Sequence, residues 1–488
     1  MIRSLFLFSL GLLLLSCGSE STEQTYDSST LRRATLQEVE ALVEAFILAE
    51  DSSTISIPSG FYDLHTQLIL DNKTSVQIKG AGMDQTVLSF RNLKSGGEGV
   101  KIVGKEITIE NLSIEDAPGD GIKAQHTDGI TFRKINVTWT NGDKSKNGTY
   151  AIYPVQCKNV LIEECIASHS KDAGIYVGQS EDIVVKNSLA FGNVAGIEIE
   201  NCDRAEVYGN TARDNAGGIL VFNLPGLPKG DGRKTRIYDN DIIDNNHENF
   251  ATPIGDGPNG NTVTMIPPGS GIVLLAAKEV EIFNNRILRN KTYGVAIASY
   301  QVTGFPAEAP NWSPYTTDIS LHDNEYDRGS WSSLPDLTRE LGQLVSLYNA
   351  HGWLKTQDII YDGIWDESLS TSIDSNPMRI CIQEPSIKDL RFTRFYLMEG
   401  EDKIDAFKDY ARRWAFKQPY PADFFRTLED ASGVDLDWFW RGWFYTTDEV
   451  DISVESVRKM RLDTGASYIE KPQEQARDAQ KPETLSEQ

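Results

Sequence analysis

Aligned on itself, the chain repeats one pattern that restarts at Ile107, Ile130, Val160, Ile183, Ala205, Thr235 and Val280, at intervals of 23, 30, 23, 22, 30 and 45 residues. Each unit opens with alternating apolar residues, as in Ile107 and Ile109, Val160 and Ile162, Ile183 and Val185, or Val280 and Ile282. That is the period of a strand with one buried face. A second apolar pair follows, such as Leu112 and Ile114 or Ile135 and Val137, and a third strand starts with Gly121-Ile122, Ala151-Ile152, Gly174-Ile175, Gly196-Ile197, Gly218-Ile219, Gly271-Ile272 and Gly294-Val295. Three short strands in a tandem unit of about 22 residues describe coils of a parallel β-helix. A leucine-rich repeat would need a regular leucine framework, and a propeller blade a unit nearly twice as long.

The register carries further expectations. Asn210, Asn240 and Asn285 are equivalent, so their amides should stack as a ladder through successive coils. The long intervals become loops at 139–149, 224–233 and 246–270, placed where solenoids usually bind. Cys157 and Cys202 are equivalent two coils apart, with Ser180 between them. That puts them roughly 9–10 Å apart, too far for a disulfide. Cys165 falls at an inward apolar position, and no obligatory disulfide is expected.

With 71 acidic and 47 basic residues in 488, the net charge of −24 and the lack of a basic cluster argue against nucleic acid as a partner. Arg3, the apolar run Leu5–Leu15 and Ser16-Cys17-Gly18 fit an export signal, the run being short for a membrane span. Residues 18–35 read as a flexible tether, 36–106 as an N-terminal cap with the first coils, and 107–330 as the repeats. Residues 331–400 read as a C-terminal cap or irregular region, 401–465 as a helical segment and 466–488 as a disordered tail. Within the cap, Leu36–Ala49 has helical periodicity, while Ile55–Tyr62 and Val76–Phe90 read as strands.

Several segments carry a resemblance. Gly80-Ala81-Gly82-Met83-Asp84, Gly119-Asp120-Gly121-Ile122-Lys123, Tyr150-Ala151-Ile152-Tyr153-Pro154, Ala173-Gly174-Ile175-Tyr176-Val177-Gly178-Gln179-Ser180, Gly196-Ile197-Glu198-Ile199-Glu200-Asn201 and Gly217-Gly218-Ile219-Leu220-Val221-Phe222 resemble exported bacterial right-handed parallel β-helix repeat proteins over about residues 50–385. Such proteins look related to a carbohydrate-binding and sugar-hydrolase group that includes mannuronan epimerases, alginate and pectate lyases and a periplasmic copper-accessory protein. The Asp-Pro-His-Asp motif of the epimerases is absent, so no catalytic role transfers from them. Leu14-Leu15-Ser16-Cys17 resembles a bacterial lipobox, which implies lipidation at Cys17 and an anchored protein of the cell envelope, outer membrane included. The resulting expectation is an all-β, right-handed parallel β-helix with an N-terminal cap and a small α-helical C-terminal appendage.

Chemistry is expected on the outward side of the third strands. With Ile122, Ile152, Ile175, Ile197 and Ile219 inward, Lys123, Tyr153, Tyr176, Glu198 and Glu200 share one face taken to be exposed, with Gln179, Asn201 and Asn223 at its edge. Aromatic rings, amides and a carboxylate pair suit a polysaccharide groove. Lyase or epimerase chemistry needs a base, a proton donor and a cation, and Lys123, Tyr153, Tyr176 and His169 are the candidate catalytic residues. Glu198, Glu200, Gln179, Asn201 and Asn223 are the candidate substrate-binding residues. A solvated sheet face is the competing reading, and it makes the protein a non-catalytic binding or scaffold lipoprotein. A role as accessory to metal-centre maturation is a third reading, without a Met/His/Cys cluster to support it. Glu198 and Glu200 offer a weak calcium signal, and no other metal or cofactor is expected.

From Phe407 the sequence turns aromatic and helical. Tyr410-Ala411-Arg412-Arg413-Trp414, Pro421-Ala422-Asp423-Phe424-Phe425-Arg426 and Asp435-Leu436-Asp437-Trp438-Phe439-Trp440-Arg441-Gly442-Trp443 are similar, over about 407–462, to the segment that closes the catalytic domain of gluzincin aminopeptidases of the membrane alanyl type. Those enzymes hold zinc with His-Glu-x-x-His. Here His247-Glu248 is followed by Asn249-Phe250-Ala251, so no zinc ligand transfers and metallopeptidase activity is not expected. Asp423 or Ser432 would cap a packed helix.

Overall fold

A computed structural model describes residues 27–140, 144–251, 262–305, 308–327, 357–370, 372–385, 392–394, 413 and 420–432. The lipobox, Cys17 and the tail beyond 466 lie outside these residues, as does most of the aminopeptidase-like segment. The chain divides into two units, 1–399 and 400–488.

In the first unit, parallel strands wind through three faces, and each strand pairs with its equivalent one coil later. On the first face Ile107 pairs with Ile130, then Val160, Ile183, Ala205, Thr235, Val280 and Ile319 in unbroken register. On the third face Ile122, Ile152, Ile175, Ile197, Ile219, Ile272, Val295 and Ile359 form one column, every member fully buried. These β-branched side chains suit the inner surface of a pleated coil. The coils begin earlier and continue later than the sequence repeat: Thr54–Ser56 pairs with Gln77–Lys79, and Ile319–His322 with Ile380–Gln383. The expected strand over Val76–Phe90 is two strands, Gln77–Lys79 and Thr86–Ser89, on different faces.

Corners are made by single left-handed residues. After each first-face strand Lys134, Glu164, Asn187, Gly209, Asp239, Asn284 and Asp323 stand at φ between 49° and 64°. The next residue supplies the expected ladder. Asn210 N–H donates to Asn240 Oδ1 at 3.0 Å, Asn240 to Asn285 at 3.1 Å and Asn285 to Asn324 at 3.0 Å, and Glu384 closes the stack on Asn324. Ser188 and Cys165 extend it the other way. A second ladder, Asn193–Asn215–Asn245–Asn290, lines the next corner. The four described cysteines are free, and Cys157, Ser180 and Cys202 form a third hydrogen-bonded column.

The N-terminal helix Leu36–Ile47 is set by a capping box between Thr35 and Glu38 and buries Leu42 and Phe46. In the second unit Pro421–Ser432 is helical, with Asp423 accepting from Tyr420 N–H at 2.9 Å.

Candidate functional site

The outward sides of the three faces differ. On the first face the last outward column runs Lys79, Glu110, Arg133, Glu163, Lys186, and its alternating charges pair between coils. It continues as Tyr208, Tyr238, Phe283 and His322, stacked at 4.9, 4.9 and 5.1 Å. These groups satisfy one another and present ring edges. The third face instead gathers carboxyls and tyrosines.

Its central outward column is Lys123, Tyr153, Tyr176, Glu198, Leu220, Val273 and Ala296. The turns three residues before Lys123 and Tyr153 bring Asp120 and Tyr150, and the turn before Ala173 brings Asp172. Tyr150, Tyr153 and Tyr176 form a packed trio with centroids 4.3, 4.6 and 5.0 Å apart. Gly178 makes the key contact possible. The ring of Tyr176 lies across it, so that a β-carbon there would stand 2.5 Å from Cε1, and the Tyr176 hydroxyl donates to Glu200 on the next coil. Gln179 Nε2 donates to the same Glu200 oxygen at 3.0 Å. Lys123 Nζ stands 4.7 Å over the Tyr153 ring and 3.7 Å from Glu98 Oε1.

The face is covered, which corrects the expectation of an exposed one. Tyr176, Glu198 and Glu200 are 4%, 3% and 7% exposed, while Lys123, Tyr153 and Gln179 are half-buried. Leu224, Val263, Ile266 and Tyr300, from loops 224–233, 246–270 and 299–316, pack on outward Leu220, Phe222, Val273 and Leu275 as a second hydrophobic core. Asn201 and Asn223 are buried and engaged. Asn201 binds Leu224, Lys229 and Gly230, and Asn223 binds Gly232 and Ala276, so both amides pin the 224–233 loop. His169 is not brought to the tyrosines. It occupies a left-handed corner against Phe191, Thr138 and Gly192, and burial, with Lys144 and His247 nearby, pushes its pKa down to about 4.

Burial raises the carboxyls of Asp120, Asp172, Glu198 and Glu200 above the usual carboxylate range, and neighbouring carboxyls add to the shift at Asp172 and Glu198. Burial, then Glu200, push Asp172 up to about 8, and burial brings Glu200 to about 7 against the opposing bonds from Tyr176 and Gln179. Glu198 is raised well above the carboxylate range by burial, Asp172 and Glu200, and burial takes Asp120 to about 6. Asp172 Oδ1 is buried with no hydrogen-bond partner among the described residues. Asp120 and Tyr150 are the cluster members missed from sequence, while Asp172 shares with His169 and Lys171 the turn that the sequence places beside this face. Asp120 and Tyr150 stand two residues before Ile122 and Ile152, outside the strands and on the inward parity, and Asp172 sits in a turn, so strand period reveals none of the three.

Farther along the face a cavity of about 60 Å³ is lined by Phe222, Leu275, Tyr293, Val302 and Asp362. Asp362 accepts from Ser299 N–H at 2.5 Å and Ile364 N–H at 2.9 Å, and is satisfied there. Among the described residues no set of three His, Cys, Asp or Glu side chains is arranged to hold a metal ion.

Comparison with known proteins matches the description "right handed beta helix region" to residues 136–304. No curated protein matches the chain. Solved structures similar to it include the mannuronan C-5 epimerase AlgE6 A-module of Azotobacter vinelandii, at 16% identity and a TM-score of 0.40 over 74% of this chain and 91% of that one. An alginate lyase of Paenibacillus sp. aligns at 14% identity and a TM-score of 0.36, over 60% of this chain and 97% of that one. A DFA-IIIase of Arthrobacter chlorophenolicus aligns at 12% identity and a TM-score of 0.40, over 66% and 87%. The chain is a right-handed parallel β-helix protein.

Proposed function

We propose that the protein binds a polysaccharide on its third face, and that the Asp172–Glu198–Glu200 group exchanges a proton with the bound sugar. The observation that carries this reading is the set of three interacting carboxyls packed against Tyr150, Tyr153 and Tyr176. Tyrosine rings supply the apolar surface a pyranose or furanose face needs, and their hydroxyls and Gln179 supply polar partners. A carboxyl with a pKa near 7 is poised to give or take a proton at neutral pH. Lys123 and Tyr153, half-buried, mark the side from which a chain would enter.

A second reading, glycan binding without turnover, is favoured by the near-complete burial of Glu198 and Glu200. The two separate in one experiment: incubation with a panel of polysaccharides, following binding by calorimetry and product by NMR. Product that is lost in Tyr176→Phe and Glu200→Gln supports proton transfer, saturable binding without product supports the second reading, and no binding to any polysaccharide refutes both. We place the protein at the cell envelope, held by lipid on Cys17, and expect fractionation of cells carrying Cys17→Ser to release it from the membrane. No helix among the described residues is long and apolar enough to cross a membrane.

A further inference from the structure

We infer that the N-terminal helix Leu36–Ile47 is a membrane-contact surface, which lies against the bilayer that holds the lipid anchor and turns the N-terminal end of the β-helix towards it. The inference rests on the reading of Cys17 as lipid-bearing, and goes on to where the folded protein touches the bilayer.

The helix carries more apolar surface than the coils cover. Leu42 and Phe46 are buried, and Val39 and Val43 beside them are half-buried against the same core. Leu36 and Ile47 continue the apolar arc and are each 69% exposed, and Leu48, which ends the helix, is 64% exposed. Leu36, Val39, Val43 and Ile47 stand at i, i+3, i+7 and i+11, one stripe of an α-helix. A groove of about 490 Å³ opens along this stripe, closed on its other side by His65 and Thr66. Ile69, 45% exposed, stands on Leu68–Thr74, the strand packed against the helix. Among the described residues, Leu369 and Tyr420 are the only large apolar side chains exposed elsewhere.

An exposed apolar patch marks a contact with protein or with membrane. Position favours the membrane. Asp27, the first described residue, lies ten positions after Cys17, a stretch that spans at most about 33–36 Å. The first face runs through ten successive pairings from Thr54–Ser56 to Ile380–Gln383, about 48 Å at the usual strand spacing. A lipid on Cys17 therefore keeps this cap within reach of the bilayer, whatever the far coils do. Composition agrees, because the patch is leucine, isoleucine and valine, without the tryptophan, tyrosine and arginine that anchor protein contacts. Charge disfavours a second copy: Glu40 and Glu44 line the groove, so two such helices face to face would bring four like charges together. The same glutamates, with exposed Glu50, favour a zwitterionic lipid surface over an anionic one. The patch is small, so it orients the protein while attachment stays with the lipid.

The test uses the full chain, extracted with its lipid and reconstituted in phosphatidylcholine vesicles. Cys381, the exposed thiol, is changed to serine, and a nitroxide label is placed through Ile47→Cys, Leu48→Cys or, on the far coils, Ser320→Cys. Power saturation with oxygen, which concentrates in lipid, and with a water-soluble nickel complex gives the depth of each label. The expected result is an oxygen-to-nickel ratio several-fold higher at 47 and 48 than at 320, falling when phosphatidylglycerol is added and when Leu36→Ser and Leu48→Ser accompany the label at 47. Labels at 47 and 48 as open to nickel as the one at 320, on protein whose Cys17 lipid is confirmed by mass spectrometry, overturn the inference and leave the anchor reading standing. Labels shielded from both reagents also overturn it, since protein and not lipid would then cover the patch. Protein that carries no lipid on Cys17 and washes off the membrane overturns both.

Discussion

Replacing Asn240 by alanine should unfold the protein's most regular region early. Its Oδ1 accepts from Asn210 N–H and Asn210 Nδ2, each at 3.0 Å, and its Nδ2 donates to Val207 O and Asn285 Oδ1, each at 2.9 Å. Alanine removes all four bonds. The Asn210 side-chain amide keeps Val185 O at 2.9 Å, but its backbone N–H is left buried without its acceptor. An orphaned buried donor costs about 1–3 kcal/mol, and the other three lost bonds about 1 kcal/mol each, so the total should be roughly 4–6 kcal/mol. Serine offers an internal control. Ser188 already serves as a rung, accepting from Cys165 N–H at 3.1 Å, so Asn240→Ser should retain the Asn210 acceptor and cost about half as much. Urea denaturation of the full chain followed by circular dichroism gives the midpoints, and hydrogen exchange at the Asn210 amide reports the rung itself. A stack of coils can unfold in stages, so the local exchange rate is the stricter readout. The reasoning fails if alanine shifts stability by less than about 0.5 kcal/mol, or if serine is as damaging as alanine.

Gly178→Ala puts a methyl group under the Tyr176 ring and should push its hydroxyl off Glu200, at a cost of about 1–3 kcal/mol; NMR titration should then show the Glu200 pKa moving further up, since the bond that lowered it is gone. For pH, Asp172 and Glu200 have folded pKa values of about 8 and about 7, against about 4 in the unfolded chain, so the native state holds more protons between pH 4 and 8. Stability from these groups is therefore full below pH 4 and declines as pH rises through 8, and the double variant Asp172→Asn, Glu200→Gln should flatten that slope in denaturation midpoints measured from pH 5 to 8. Buried Lys278, pushed down to about 8 by burial, donates to the carbonyls of Ala276, Ser313 and Tyr315. Lys278→Met leaves those acceptors bare, and limited proteolysis should cut faster within 308–316 than in the unaltered protein.

The coil register was legible because the third-face inward column is nearly constant: an isoleucine at 122, 152, 175, 197, 219 and 272 leaves one pairing that keeps all six inside. The same rule, run outward, picks Lys123, Tyr153, Tyr176 and Glu198. Their cover was harder to read, because it comes from loops whose residues have no period. A signal was present nonetheless. After Glu198 and Glu200 the outward columns become Leu220, Phe222, Val273 and Leu275, apolar side chains that a solvated face would not carry. His169 looked available for chemistry, yet its corner demands a left-handed backbone and histidine is among the residues that tolerate it. Asp172 could not be found this way, since its role comes from a turn that sets its carboxyl beside residues two coils apart.

The most direct test of the account follows the tyrosines themselves. Protein with ring-labelled tyrosine, its Tyr153 and Tyr176 signals assigned through Tyr153→Phe and Tyr176→Phe, would be titrated with the polysaccharide fragments that calorimetry finds to bind. The account predicts saturable shifts of the Tyr153 and Tyr176 signals at the calorimetric affinity, with Tyr208 and Tyr238 on the first face unmoved. Saturable binding that leaves both third-face signals in place, or shifts confined to the first-face stack, would contradict the placement of the site.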